Sequence, residues 1–134
     1  MRAVIYARVS TEEDKQLDAL AIQVEEARKI VNKNAWTLVD EYVDEGISGT
    51  SDKKRDEYKR LVNDVYSSKF DVIVVKSQDR LMRNAKDWYI FIDTIVNNDI
   101  KLFLYLENKF YSADDKLITG IRAILAEEFS RDLS

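Results

Sequence analysis

Four short apolar runs recur along the chain, at Ala3–Val9, Trp36–Val43, Asp71–Val75 and Ile100–Leu106. Each is too short for a buried helix and suits a buried strand. Between them the apolar residues repeat at helical spacing. The first stripe is Leu17, Leu20, Val24, Ala27 and Val31. The second, from about Asp56 to Tyr66, holds Tyr58, Leu61, Val62 and Val65. The third starts near Asn84 and carries Trp88, Phe91, Ile92, Ile95 and Val96. After Ser112, whose partner Asp115 resembles a capping box, a last stripe runs through Leu117, Ile118, Ile121, Ile124, Leu125 and Phe129. This alternation predicts an α/β domain with a mainly parallel central sheet of four to five strands flanked by helices. Ligands of such sheets bind beyond the carboxyl ends of the strands. Ser10 and the segment Lys76–Arg83 both follow strands, so both are expected on that rim.

Absent residue types narrow the chemistry. The chain has no histidine and no cysteine, so a Ser-His-Asp triad, a Cys-His pair and zinc sites built on those side chains are excluded. Without disulfides it suits a reducing compartment. The single cation Arg2 precedes a run that turns polar too soon for a signal peptide, and no stretch approaches a membrane span. A cytoplasmic protein with no membrane contact is expected. At 134 residues it reads as one domain, and three glycines with no proline leave no room for a flexible linker. The net charge is -4. From Lys53 to Lys86, however, ten basic residues face five acidic ones, a local +5 that leaves -9 for the remainder. The final stripe meets no Gly or Pro and still runs at Leu133, so a fragment of a longer protein is expected, with part of its function lying elsewhere.

Three groups of residues carry candidate chemistry, each with a plainer reading beside it. Arg8 interrupts a strand that is otherwise apolar, and a guanidinium is seldom buried without a partner. Ser10 follows two residues later. Ser10-Thr11-Glu12-Glu13 also fits a capping box, while Tyr6 and Arg8 share Ser10's face of a regular strand. Next, Ser77 to Asn84 follows the third strand. Arg80 and Arg83 share one face of a helical turn and suit the two-pronged grip of a phosphate; a solvated basic turn, with Asp79 as its N-cap, is the alternative. Third, Gln23 falls inside the first apolar stripe, where a buried amide needs partners, either backbone groups or a site. The loop from Gly46 to Ser51 lacks the lysine spacing of a P-loop.

The order of these pieces is more specific than any one of them. Tyr6-Ala7-Arg8-Val9-Ser10-Thr11, then Gln23, then Asp44-Glu45-Gly46-Ile47-Ser48-Gly49, then Arg55, then Asp79-Arg80-Leu81-Met82-Arg83-Asn84 resembles the catalytic domain of the serine recombinases, the resolvase/invertase family. The closing Glu127–Ser134 resembles the start of that family's long helix, in the style of its large integrase and transposase members. Arg55 is followed by Asp56 where the family often carries proline.

The resemblance implies site-specific recombination of double-stranded DNA by a residue 1–134 catalytic domain, with the DNA-binding region lying elsewhere and the isolated fragment inactive alone. The serine matching Ser10 attacks a phosphodiester, forms a 5′-phosphoserine link and releases a 3′-hydroxyl; subunits that pair as dimers act as tetramers, exchange strands and religate. No metal or cofactor is implied. Family matching makes Arg8, Arg55, Arg80 and Arg83 a phosphate clamp, with Tyr6, Gln23 and Asp79 supporting it. Phosphoryl transfer needs positioning and charge stabilisation above all. The competing expectation is a non-catalytic α/β regulatory or dimerisation module that binds a phosphate-bearing ligand, with Ser10 a plain cap.

Overall fold

The computed structural model describes residues 1–9, 17–45, 56–82 and 84–112, together with 123, 126 and 127. Its elements are β1 (Arg2–Arg8), α1 (Leu17–Lys33), β2 (Thr37–Asp44), α2 (Asp56–Val65), β3 (Val72–Val75), α3 (Gln78–Leu81), α4 (Ala85–Asn97), β4 (Lys101–Leu104) and β5 (Lys109–Phe110). All four expected strands and the first three expected helices form. The last stripe lies largely outside the described residues, of which 123, 126 and 127 are helical.

The sheet order is β2-β1-β3-β4-β5. The first four strands are parallel, and β5 pairs antiparallel with β4. The expected fourth run, Ile100–Leu106, is shorter as a strand: it ends at Leu104, and residues 105–108 turn back to form β5. That edge pair is too short to leave a periodic signal of its own. Chain order reverses at β1, since β2 lies on one side of it and β3 on the other. The β1/β3 crevice is therefore the topological switch point, where open α/β sheets bind their ligands.

Parallel strands buried on both faces read as continuous apolar runs. Accordingly β3, Val-Ile-Val-Val, is buried throughout. On one face α1 lays Ala27 and Val31 over Ala3, Ile5, Val72, Val74 and Phe103. On the other, α2 and α4 bring Leu61, Val65, Trp88, Phe91, Ile92 and Ile95 against Val4, Tyr6, Ile73, Val75 and Leu102. Each of those aliphatic or aromatic side chains gains about 1.5–3 kcal/mol on full burial.

Helix exits here do without glycine. Ala35, Ser68 and Asp99 follow α1, α2 and α4 with φ of 56°, 54° and 57°. After α1 and α4 the turn closes with Trp36 N donating to Val31 O at 3.0 Å and Ile100 N to Ile95 O at 2.9 Å. These are the six-residue bonds of a Schellman cap, and each delivers an apolar residue to the start of the next strand. At its other end α4 is capped by Asn84, whose side chain accepts from Asp87 N at 2.8 Å.

Candidate active site at the sheet's switch point

β1 and β3 both end at the switch point, and two segments meet there. Arg8 closes β1. Its Nε donates to the carbonyl of Arg80 and its Nη2 to that of Asp79, each at 2.9 Å. Arg80 answers: its Nη1 donates to the carbonyl of Arg8 at 3.1 Å. The Arg80 side chain is only 15% exposed. This reciprocal clasp joins the end of β1 to the short helix α3 across 72 residues of sequence. It also answers why an arginine stands in a buried strand: its fork leaves the core at the strand end and finds carbonyl partners there.

Gln23 completes the frame from α1. It is buried at 4% exposure. Its Oε1 accepts from Arg8 N at 3.2 Å and its Nε2 donates to Arg8 O at 3.3 Å. The amide thus pairs with both main-chain groups of one residue, as a neighbouring strand would, beyond the point where β3 pairs with β1. Of the two readings open for Gln23, the structure shows backbone bonding, and its partner is Arg8.

Tyr6 and Asp44 form the wall toward α2. Tyr6 is 1% exposed and Asp44 4%. The Tyr6 hydroxyl donates to Asp44 Oδ2 at 2.7 Å. The same carboxylate accepts from Glu57 N and Tyr58 N at 3.0 Å each. A carboxylate at a helix N-terminus satisfies orphan amides and complements the helix dipole. Asp44 caps α2 in this way from 13 residues away. Sequence reasoning quoted Asp44 within a motif but did not count it as a site residue. The available signal was an acid directly closing the apolar run Trp36–Val43.

The α3 turn differs from one expectation. Ser77, not Asp79, occupies the N-cap position. Asp79 lies one residue inside the helix, exposed, where its carboxylate accepts from Ser77 Oγ and sits 3.7 Å from Arg80 Nε. A carboxylate in the first turn is favourable for the same dipole reason without being the cap.

Tyr6, Arg8, Gln23, Asp79 and Arg80 are thus gathered around the ends of β1 and β3. Ser10, Arg55 and Arg83 lie outside the described residues. Ser10 follows Arg8 by two positions, Arg55 directly precedes α2, and Arg83 lies two residues past the end of α3. Among the described residues no group of three or more Asp, Glu, His or Cys side chains is arranged to hold a metal ion.

The family model of the resolvase N-terminal domain matches residues 3–134. The chain belongs to that family. Its fold is the serine recombinase catalytic fold, and solved structures agree. The chain is similar to the N-terminal catalytic domain of TP901-1 integrase, with 29% identity and a TM-score of 0.70 over 100% of this chain and 99% of that one. It is also similar to a resolvase family site-specific recombinase from Streptococcus pneumoniae, at 24% identity and a TM-score of 0.76, covering 98% of this chain and 89% of the other. The C-terminal catalytic domain of ISC1926 TnpA, an IS607-like serine recombinase, shares the fold at 22% identity and a TM-score of 0.68, covering 95% and 82%. Within the resolvase family frame, the switch-point crevice of this sheet is the candidate active site. No described helix is long and apolar enough to cross a membrane.

Proposed function

We propose that this chain is the catalytic domain of a site-specific DNA recombinase acting in the cytoplasm, with Ser10 as the nucleophile. The observation that carries the reading is the clasp at the switch point: two arginines and a buried amide order the main chain just before Ser10. A regulatory module has no need to order that strand end so fully.

In the proposed reaction Ser10 Oγ attacks a DNA phosphorus and loses its proton. The bond from phosphorus to the 3′ oxygen breaks, and that oxygen takes up a proton to leave as a 3′-hydroxyl. The 5′-phosphoserine link conserves the bond energy, and the reverse attack by a 3′-hydroxyl rejoins the strand. No oxidant, reductant or nucleotide is consumed.

Arg80, Arg83, Arg55 and Arg8 face the phosphate charge in this reading. A phosphate offers the Arg8 fork two charged acceptors. The guanidinium fork matches two phosphate oxygens and gains with them an ion-pair attraction that neutral carbonyls lack, so phosphate competes well with the carbonyls of Asp79 and Arg80. Tyr6, Asp44 and Gln23 hold the frame, and Asp79 neighbours Arg80. The partners are double-stranded DNA and further copies of the chain, paired at rest and tetrameric during exchange.

The test is covalent trapping. The full-length protein is incubated with fragments of its source genome, and protein-linked DNA ends are captured and sequenced. Discrete sites linked through a phosphoserine at Ser10, absent from Ser10→Ala, are expected. An adduct undiminished in Ser10→Ala overturns the assignment of the nucleophile. No adduct from the unaltered protein overturns the recombinase reading.

A further inference from the structure

Tyr105 is the first residue past β4, and the reaction as described gives it no task. Its main chain is held on the β3 side, with Tyr105 N donating to Val75 O and Leu106 N to Lys76 O, both at 3.0 Å. Its ring packs against the α1-side core of Ala3, Ile5, Ala27 and Phe103. Its hydroxyl crosses to α1 and donates to the main-chain carbonyl of Gln23 at 3.3 Å. Gln23 is the residue whose side-chain amide brackets Arg8.

We infer that Tyr105 is a positioning residue that pins α1 at Gln23 and so keeps that amide in register with the main chain of Arg8. Three features support this. The two Gln23–Arg8 bonds, at 3.2 and 3.3 Å, and the Tyr105 bond, at 3.3 Å, lie at or just past the usual hydrogen-bond range, so the amide is held by several weak bonds acting together and a small slide of α1 along the sheet breaks them. Tyr105 and Gln23 belong to different elements, β4's exit and α1, that no strand pairing joins. The Tyr105 hydroxyl also stays a donor: burial and then the Glu26 carboxylate, by its charge and as a second acceptor on α1, raise its pKa above the usual tyrosine value, against a smaller lowering by Arg80. The site residues Arg8 and Gln23 are thereby tied to β4, a strand that contributes no residue to the clasp.

The catalytic consequence rests on the proposed recombinase reading, whereas the contact itself does not, so the test has two arms. In the first, the side-chain amide of Gln23 is followed by nitrogen-15 NMR in the 134-residue chain and in Tyr105→Phe, which keeps the ring. A shift of the Gln23 Nε2 signals with faster hydrogen exchange is expected. A tyrosine that merely fills space leaves those signals in place, because phenylalanine keeps the ring, and unchanged signals overturn the inference. In the second arm, Tyr105→Phe and Tyr105→Leu are compared with the unaltered protein on a trapped DNA site. Tyr105→Phe is expected to slow cleavage about 3- to 10-fold, the range of one net hydrogen bond. Tyr105→Leu, which also loses the ring, is expected to slow it up to about 100-fold, as misplacement of a reacting group does. Binding to the same DNA is expected to stay within about twofold. Cleavage at the unaltered rate in both variants overturns the positioning role. Failure of the unaltered protein to cleave any DNA instead overturns the recombinase reading, and the NMR arm still decides whether Tyr105 holds Gln23.

Discussion

Replacing Asp44 with alanine tests whether the site wall and helix α2 share one anchor. The carboxylate is 4% exposed and accepts three hydrogen bonds, from the Tyr6 hydroxyl and from Glu57 N and Tyr58 N. Asp44→Ala removes the acceptor of the first α2 amides, a capping loss of about 1 kcal/mol with a ceiling near 2. It also removes the bond from the Tyr6 hydroxyl to a charged acceptor, at about 1–3 kcal/mol. Together the expected destabilisation is about 2–5 kcal/mol, a large part of the roughly 5–15 kcal/mol that holds a domain folded. In urea, with a slope of about 1–3 kcal/mol per molar, the midpoint should fall by roughly 1–3 M. Tyr6→Phe removes the hydroxyl but leaves Asp44 on the two amides, so its expected cost is about 1 kcal/mol. The combination is the decisive measurement. Once the hydroxyl is gone, Asp44→Ala no longer costs that bond, so the double variant should be more stable than the sum of the single effects by about 0.5–3 kcal/mol. Additive effects, or a loss under about 1 kcal/mol in Asp44→Ala, refute the account of a shared anchor.

Two further predictions follow from the arginines. Arg80→Lys and Arg83→Lys keep the charge but lose the planar fork; each should raise the cleavage barrier by about 2–4 kcal/mol if it supplies one preorganised donor, with little change in DNA affinity, and single-turnover rates near the unaltered value in both would return them to ordinary surface charge. Between α2 and β2, the hydrogen bond from Arg60 Nη1 to Asp40 Oδ2, at 2.7 Å, holds the Asp40 carboxyl below its usual range. A depressed folded-state pKa adds stability above the unfolded value, near pH 4, and loses it as pH falls through the folded value. Arg60→Met should therefore flatten the acid limb of stability below about pH 4. The side chains are 39% and 41% exposed, so the effect should stay under about 1 kcal/mol; parallel acid limbs for both proteins contradict it.

The elements of this fold were legible because their signals are local. A strand buried on both faces must be apolar throughout, and a helix covering one face must carry a stripe, so Val72–Val75 and the Leu20, Val24, Ala27, Val31 series announce themselves. β5 did not, because two edge residues, Lys109 and Phe110, are too few to show any period. The cap of α3 was misplaced for a related reason. Ser77 and Asp79 are both good capping residues, and which of them begins the helix depends on where β3 releases the chain.

The amino-acid sequence by itself determined the chemistry open to the site: no histidine, no cysteine, a serine behind Arg8, and arginines after the third strand in an order shared with one family. Spatial proximity was decided elsewhere. The strand order β2-β1-β3 brought Arg8 beside Arg80, 72 residues away, and β1–β2 pairing set Asp44 opposite Arg8, where it reaches Tyr6 and the start of α2. No periodicity encodes such contacts. They arise because parallel strands start and stop together, which gathers the residues that follow each strand at one rim whatever their separation along the chain. Whether Gln23 met water, core or backbone likewise depended on how far α1 slid along the sheet. Packing of Ala27 and Val31 against Ile5, Val74 and Phe103, with the bond from Tyr105, decided it.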